Sequence, residues 1–387
     1  MRIPRGRRSR SRRGKILAMT VLMVPVLFGA TLVSTDTAIL VNAEAQLKTA
    51  ADASALAGVM VLADETRLRG ATDLSSLMIT ARSKAIAVSA TNLVLGASPV
   101  LSQGDIVIGY LSPTDYTTAS PTTTGSQALF NSMKITAQRS ASHGGQIPTF
   151  FGGPLGIGGK DLSVTSTASV QNYAIKGFQN VNNQSLNLLP IVLDSTTYQD
   201  MISRTTADQY SFNTSTGAVS SGADGVPESQ LYPVGTGNPG NFGTVKIGVS
   251  NNSTATLVSQ IESGITSTQL ATFPESKIQL DSSLSPPSIT FEGNPGLSAG
   301  IQSALTAQIG KTSTIGVYDQ SGGNGDNAIY RVVAFASVRI MAVNFQGNPK
   351  YVVVQPALVK DPTAIPDTDK LPKNLAEGGL VRVHLAR

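Results

Sequence analysis

The 387-residue chain has no cysteine, no tryptophan and only two histidines, His143 and His384. Without cysteine there are no disulfides, no thiolate metal ligands and no cysteine nucleophile. Two histidines are too few for a multi-histidine metal centre, and their polar and terminal settings predict solvated surface positions. Aromatic residues make up 5% of the chain and charged residues 14%, whereas glycine is frequent at 37 residues. That composition suits short strands and turns better than a dense enzyme core. There is no loop of the G-x-x-x-x-G-K-S/T form to cradle a nucleotide phosphate, and no repeat of fixed period.

Acidic residues are missing from the first fifteen positions. Arg2, Arg5, Arg7, Arg8, Arg10, Arg12, Arg13 and Lys15 stand there alone, so the formal charge of +5 belongs to this tail and the rest of the chain is net −3. The body therefore has no basic surface that argues for nucleic-acid binding.

The tail leads into residues 16–35, twenty positions without a charge. At about 1.5 Å per residue a helix of that length matches the roughly 30 Å hydrocarbon core of a bilayer. The flanking positive charge predicts a cytoplasmic N-terminus and an extracytoplasmic body from residue 36 to 387. Pro25 and Gly29 are expected to bend this span without ending it, because lipid offers no water to an opened backbone. Beyond Asp36 the residues Leu40, Ala43, Leu47, Ala50, Ser54, Ala57 and Val61 recur in steps of three and four, which predicts one narrow packing stripe of mostly small side chains. Its expected role is a packed intramolecular stalk, the alternative being a seam shared between protomers in a homo- or hetero-oligomer. Glu44 and Lys48 are spaced as an i, i+4 ion pair away from the stripe.

The basic tail ending Arg12-Arg13-Gly14, the span with Pro25, Asp36 at its outer end, and then Leu47, Ala50-Ala51-Asp52-Ala53 and Leu56-Ala57-Gly58 resemble the N-terminal segment of TadG-like proteins of bacterial tight-adherence (Flp-type) pilus assembly. Asp36, Asp52 and Gly58 are the motif positions. Lys48 and Ser54 depart from the family pattern without breaking the helix. A weaker resemblance extends to about residue 170, through a strand like residues 106–110 and a Pro-Thr-Phe-Phe connection at residues 148–151. The resemblance implies a non-enzymatic inner-membrane component, without cofactor, that contacts pilus-assembly or pilin-like membrane proteins. Three processing signals compete with a plain anchor. They are a twin-arginine-like run at residues 11–17, a small-x-small site at Ala43-Glu44-Ala45, and prepilin-type cleavage after Gly14, where Met19 stands in place of the glutamate such substrates carry.

Along the rest of the chain, residues 73–95 read as a second helix capped by Asp73, and residues 105–110, 134–139 and 162–170 as strands. Residues 188–193 predict a buried strand, 197–204 a short helix and 213–218 a hairpin turn. Further helices are expected at 255–263, 267–271 and 298–309, with strands at 244–249, 328–345 and 351–358, the last two forming a central hairpin. The fold class is α+β: a transmembrane helix continuing into a long stalk helix with a small antiparallel, pilin-like sheet, then a second mixed α+β domain. The expected divisions are a basic tail (1–15), the transmembrane helix (16–35), the stalk helix and sheet (36–175), an extracytoplasmic domain (176–360) and a loosely held tail (361–387).

Two constellations invite chemistry. Gly296-Leu297-Ser298-Ala299-Gly300 has the GxSxG form of a hydrolase elbow with His384 downstream, but Asn294-Pro295 precedes it where a strand is required, and Ser298 reads better as a helix cap. Asp319, Asn324 and Asp326 offer closely spaced oxygens in a glycine-rich loop that calcium could use, although turn preference explains the same residues. These residues support a second reading, an envelope-anchored adhesin or ligand-binding protein that depends on calcium. Asp194-Ser195-Thr196-Thr197 is the nearest approach to an adhesion-module metal motif and lacks its pattern.

Overall fold

The computed structural model describes residues 12–113, 120–151, 158–231, 243–251, 253–294, 299–323, 328–346 and 350–386. In chain order the elements are α1 (Arg12–Val61), α2 (Ser75–Thr91), β1 (Ile106–Gly109), β2 (Ser132–Arg139), β3 (Leu162–Tyr173), β4 (Ile175–Gln179), β5 (Leu188–Asp194), α3 (Ser195–Ile202), β6 (Tyr210–Asn213), β7 (Ala218–Ser221), β8 (Ser229–Gln230) and β9 (Thr244–Val245). They continue with α4 (Thr254–Ser263), α5 (Ser267–Leu270), β10 (Lys277–Gln279), β11 (Ile289–Asn294), α6 (Gln302–Thr306), β12 (Thr312–Gly322), β13 (Ala328–Asn344), β14 (Tyr351–Pro356), β15 (Leu358–Val359), β16 (Ala364–Pro366) and β17 (Gly379–Ala386). The class is α+β, a long N-terminal helix followed by mixed, mainly antiparallel sheets, as the residue patterns predict. One sheet has the order β1-β2-β3-β17-β15, a larger one is built around β13, and β6 and β7 form a separate hairpin.

The chain divides into two compact units, one of Met1–Ala55, Ser83–Ile106 and Lys134–Ser166, the other of Leu56–Arg82, Val107–Met133 and Thr167–Arg387. In the first, Ala43, Leu47, Ala50 and Ala55 of α1 and Ala85 of α2 are fully buried, together with Ile135 and Ala137 from alternate positions of β2. The alternation is the pleat of a half-buried strand. Arg139 ends β2 inside this unit and donates to the carbonyls of Val94 (2.8 Å) and Gly145 (2.9 Å), so its buried charge is spread over backbone oxygen.

In the second unit β5 is buried on both faces, which is why its sequence is a continuous apolar run. Leu189, Ile191 and Leu193 enter one core with Tyr198, Leu257 and Leu305 of the helices, while Leu188 and Val192 enter the other. β13 pairs antiparallel with β11, β12, β14 and β4, placing the expected final hairpin at the sheet centre. Between β12 and β13 the register slips. Val317 lies opposite Ala334 and Tyr318 opposite Val332, so Val333 is left over. An extra residue reverses which side chains face which way. Val332 and Tyr330 accordingly enter one core, and Ala336, Val338 and Ile340 the other.

Several expectations need correction. β12 begins at Thr312 and runs through Asp319 to Gly322, where a loop was expected to start at Asp319. The predicted helix at 298–309 is reduced to a 3-10 turn, Ala299–Ile301, and the short α6. Residues 361–387, expected to be loosely held, contain β16, paired with β4, and β17, paired with β3 from Thr167 to Tyr173. Leu380 and Val381 are buried there, and Arg382 donates to the carbonyls of Asp361 and Ala364. The prolines at 362, 366 and 372 lie before β17, and the alternation in Gly-Leu-Val-Arg-Val-His-Leu-Ala was a legible strand signal.

Candidate functional site

Helix α1 is continuous through Pro25, and the window of it that is long and apolar enough to cross a membrane has no buried residue. Leu22 is 73% exposed and Val26 69%, exposures that water would penalise and lipid would not. Three hydroxyls near the outer end of this segment are satisfied along the helix. Thr31, Thr35 and Thr37 donate to the carbonyls of Leu27, Thr31 and Val33 at 2.9, 2.9 and 2.7 Å, so these three donors are paired without water.

From Ala43 the same helix turns into core. Ala43, Leu47, Ala50 and Ser54 are fully buried, while Leu40, Ala57 and Val61 are only half-buried; past Ala50 the buried positions become Ala51, Ala55, Gly58, Val59 and Leu62. The stripe drawn at 3.5-residue spacing drifts off the face because a straight helix turns every 3.6 residues, about 20° per heptad. Ala43-Glu44-Ala45 lies within unbroken helix with Ala43 inaccessible, unlike an extended protease site.

The motif acids have separate tasks. Asp36, the first charge after the span, accepts hydrogen bonds from the backbone N–H of Phe150 (2.7 Å) and Phe151 (3.3 Å). Asp52 accepts from the Ser166 hydroxyl (2.5 Å) and from Lys48 Nζ (2.7 Å), and Lys48 also donates to the Thr165 carbonyl (3.0 Å). The ion pair of Lys48 is therefore with Asp52 and not with Glu44. Toward its partner one turn on, Lys48 is followed by a carboxylate already fixed by β3, and that third group decides the pairing.

Residues 14–61 match the family model described as Tad: Putative Flp pilus-assembly TadE/G-like. The N-terminal segment is TadE/G-like. No curated protein and no solved structure matches the chain. The TadE/G-like segment ends on Val61, the last residue of α1, so family signature and helix stop together. This segment makes the chain membrane-associated, and it carries the pilus-assembly likeness; residues 62–387 lie outside the match.

The chemical candidates fare differently. Ser298, Asn324 and Asp326 lie outside the described residues. Asp319 is the residue left over where β12 slips against β13, and both its oxygens are engaged by Arg331, at 2.8 and 2.5 Å. Asp194 caps α3, accepting from the N–H groups of Thr196 and Thr197. His143 is not a solvated surface residue: its Nε2 lies 3.4 Å from Asp105 and its Nδ1 is 2.8 Å from the Ser142 hydroxyl. His384 sits half-buried in β17 opposite Ser169, and burial lowers its pKa. Among the described residues no group of three His, Asp or Glu side chains is placed to hold a metal.

Sequence patterns gave no hint of a carboxylate cluster in the second unit. Asp208 accepts from the N–H groups of Asp224 and Gly225, Asp224 from those of Phe212 and Val226, and Glu228 from those of Gln209 and Tyr210. These acids order loop backbone around the β6–β7 hairpin. Glu228 is 5% exposed, and burial, with Asp208 and Asp224 adding to it, pushes its carboxyl up to about 7. A raised carboxyl pKa favours the folded state when protonated, so this contribution is complete below the ordinary glutamate range and is lost as pH rises through about 7. The protein should therefore be more stable at pH 6 than at pH 8 by on the order of 1 kcal/mol, read as a higher melting temperature at pH 6. In Glu228→Gln this increment should vanish; an unchanged pH dependence in that variant would assign it to other groups.

Proposed function

We propose that this protein is a non-enzymatic, membrane-anchored component of tight-adherence (Flp-type) pilus assembly that acts through protein–protein contacts. The observation that carries the reading is the coincidence of the TadE/G-like match with an unburied apolar helix of membrane-spanning length. In this reading the helix lies in the bacterial inner membrane, the eight basic residues at positions 2–15 hold the N-terminus in the cytoplasm, and residues 36–387 project outward. Its partners are pilus-assembly or pilin-like membrane proteins, met through the lipid-exposed span and the outward surfaces of the body.

The test is made in the bacterium. A Leu22→Arg, Val26→Arg double variant places two charges in the span, each costing about 2.5–3.5 kcal/mol at a helix centre. It should leave the membrane fraction after alkaline extraction and abolish surface pili. Normal piliation in a strain lacking the whole chain would overturn the assignment. Photo-crosslinkers at Val33 and Val41, which are 68% and 61% exposed, should trap pilus-assembly membrane proteins.

A further inference from the structure

We propose that Phe150 is a second membrane contact, inserted into the outer headgroup–acyl boundary and held at that depth by Asp36. The inference rests on the reading of α1 as a membrane span and adds a lipid site outside the helix. Asp36 marks where the uncharged run of residues 16–35 ends, so its carboxylate belongs to the membrane surface. That carboxylate receives the backbone N–H groups of both Phe150 and Phe151, from more than a hundred residues away. The two bonds set the height of this turn along the helix axis, level with the end of the span.

The turn is supported from its base as well. Ile147 and Lys160 exchange two backbone hydrogen bonds of 2.9 Å, and the Gln146 amide donates to Asp161 at 2.8 Å. On this frame Phe151 is half-buried and meets Phe150 edge to face, with ring centroids 4.7 Å apart. Phe150 itself is 71% exposed. A large apolar ring left in water on an ordered turn is unfavourable, and an aromatic ring at the outer end of a membrane helix is where interfacial anchors sit. Lipid is the occupant that the geometry favours, because the exposed apolar surface of the helix, including Val33 at 68% exposure, continues from the same level into the span.

The chain has no tryptophan, so one substitution supplies a single fluorophore. The full-length Phe150→Trp variant would be reconstituted in phosphatidylethanolamine–phosphatidylglycerol vesicles doped with phosphatidylcholine brominated either near the headgroup or near the bilayer centre. Its indole emission should shift to the blue and lose most of its intensity to the shallow bromines, with little loss to the deep ones. Adding Asp36→Ala should return the emission toward the red and remove the quenching. A separate Leu22→Trp variant reports on the span and should be quenched by the deep bromines. If Leu22→Trp is quenched and Phe150→Trp is not, the span stands and the lipid contact is refuted. If neither is quenched, both fall. Blue emission from Phe150→Trp without quenching would place the ring against protein and equally overturn the proposal.

Discussion

Ala50→Asp is expected to unfold the part of the protein that α1 organises. Ala50 has no exposed surface, and its carbonyl accepts the Ser54 hydroxyl at 2.7 Å, so a carboxylate there would be buried away from water. An uncompensated buried charge costs roughly 3–5 kcal/mol, a large share of the stability of a typical domain. In urea titrations of the full chain in detergent, the midpoint should fall sharply or the folded baseline should disappear. Val41→Asp is the control: Val41 is 61% exposed, and surface changes usually fall within about 0.5 kcal/mol. Co-purification lost in Val41→Asp with stability retained would reveal a protein partner on the exposed face. A stable Ala50→Asp variant would contradict the burial of the stripe.

Arg67→Met should be the other severe lesion. Just beyond α1, the Arg67 guanidinium is 3% exposed and donates to three carbonyls, those of Leu62 (2.6 Å), Phe130 (2.6 Å) and Ala128 (3.0 Å). Leu62 follows the last helical residue, so its carbonyl is among those a helix end leaves without a partner. Burial lowers the Arg67 pKa to about 10, with Asp64 opposing the shift, and the group stays charged at neutral pH. Methionine fills similar volume but leaves the three acceptors unpaired, at about 1–3 kcal/mol for each buried acceptor that water cannot reach. A loss of about 3 kcal/mol or more is expected from thermal or urea unfolding. Arg67→Lys should recover only part of it, since a single ammonium cannot fork between the separated carbonyls. Equal stability of Arg67→Met and the parent would mean that the carbonyls are satisfied in another way.

Local elements were readable where side-chain period and burial agree. β2, β5, α3 and α4 lie within a few residues of their predicted spans, because their apolar positions recur at the period of the element and their ends carry Asp or Ser caps. β12 was missed because Thr312-Ser313-Thr314 and Asp319-Gln320-Ser321-Gly322 look like turn residues, although Ser313 and Thr314 are buried. β17 was missed because charges and three prolines just ahead of it suggested a free end.

By itself the sequence determined the membrane end of the chain: an uncharged run of bilayer length, a basic tail, an outer Asp36 and a small-residue helix face are one-dimensional signals, set by hydrophobicity and helical period. The tertiary structure alone decided what those residues hold. Asp36 finds the amides of Phe150 and Phe151 and Asp52 finds Ser166 through bonds between residues far apart in the chain, and Lys48 pairs one turn on with the Asp52 that Ser166 already holds instead of with Glu44. In the second unit it decided which way β13 faces, because the slip at Val333 comes from strand pairing and no local pattern encodes it. Spacing along the chain specifies what an element is, and only its partners specify what each side chain meets.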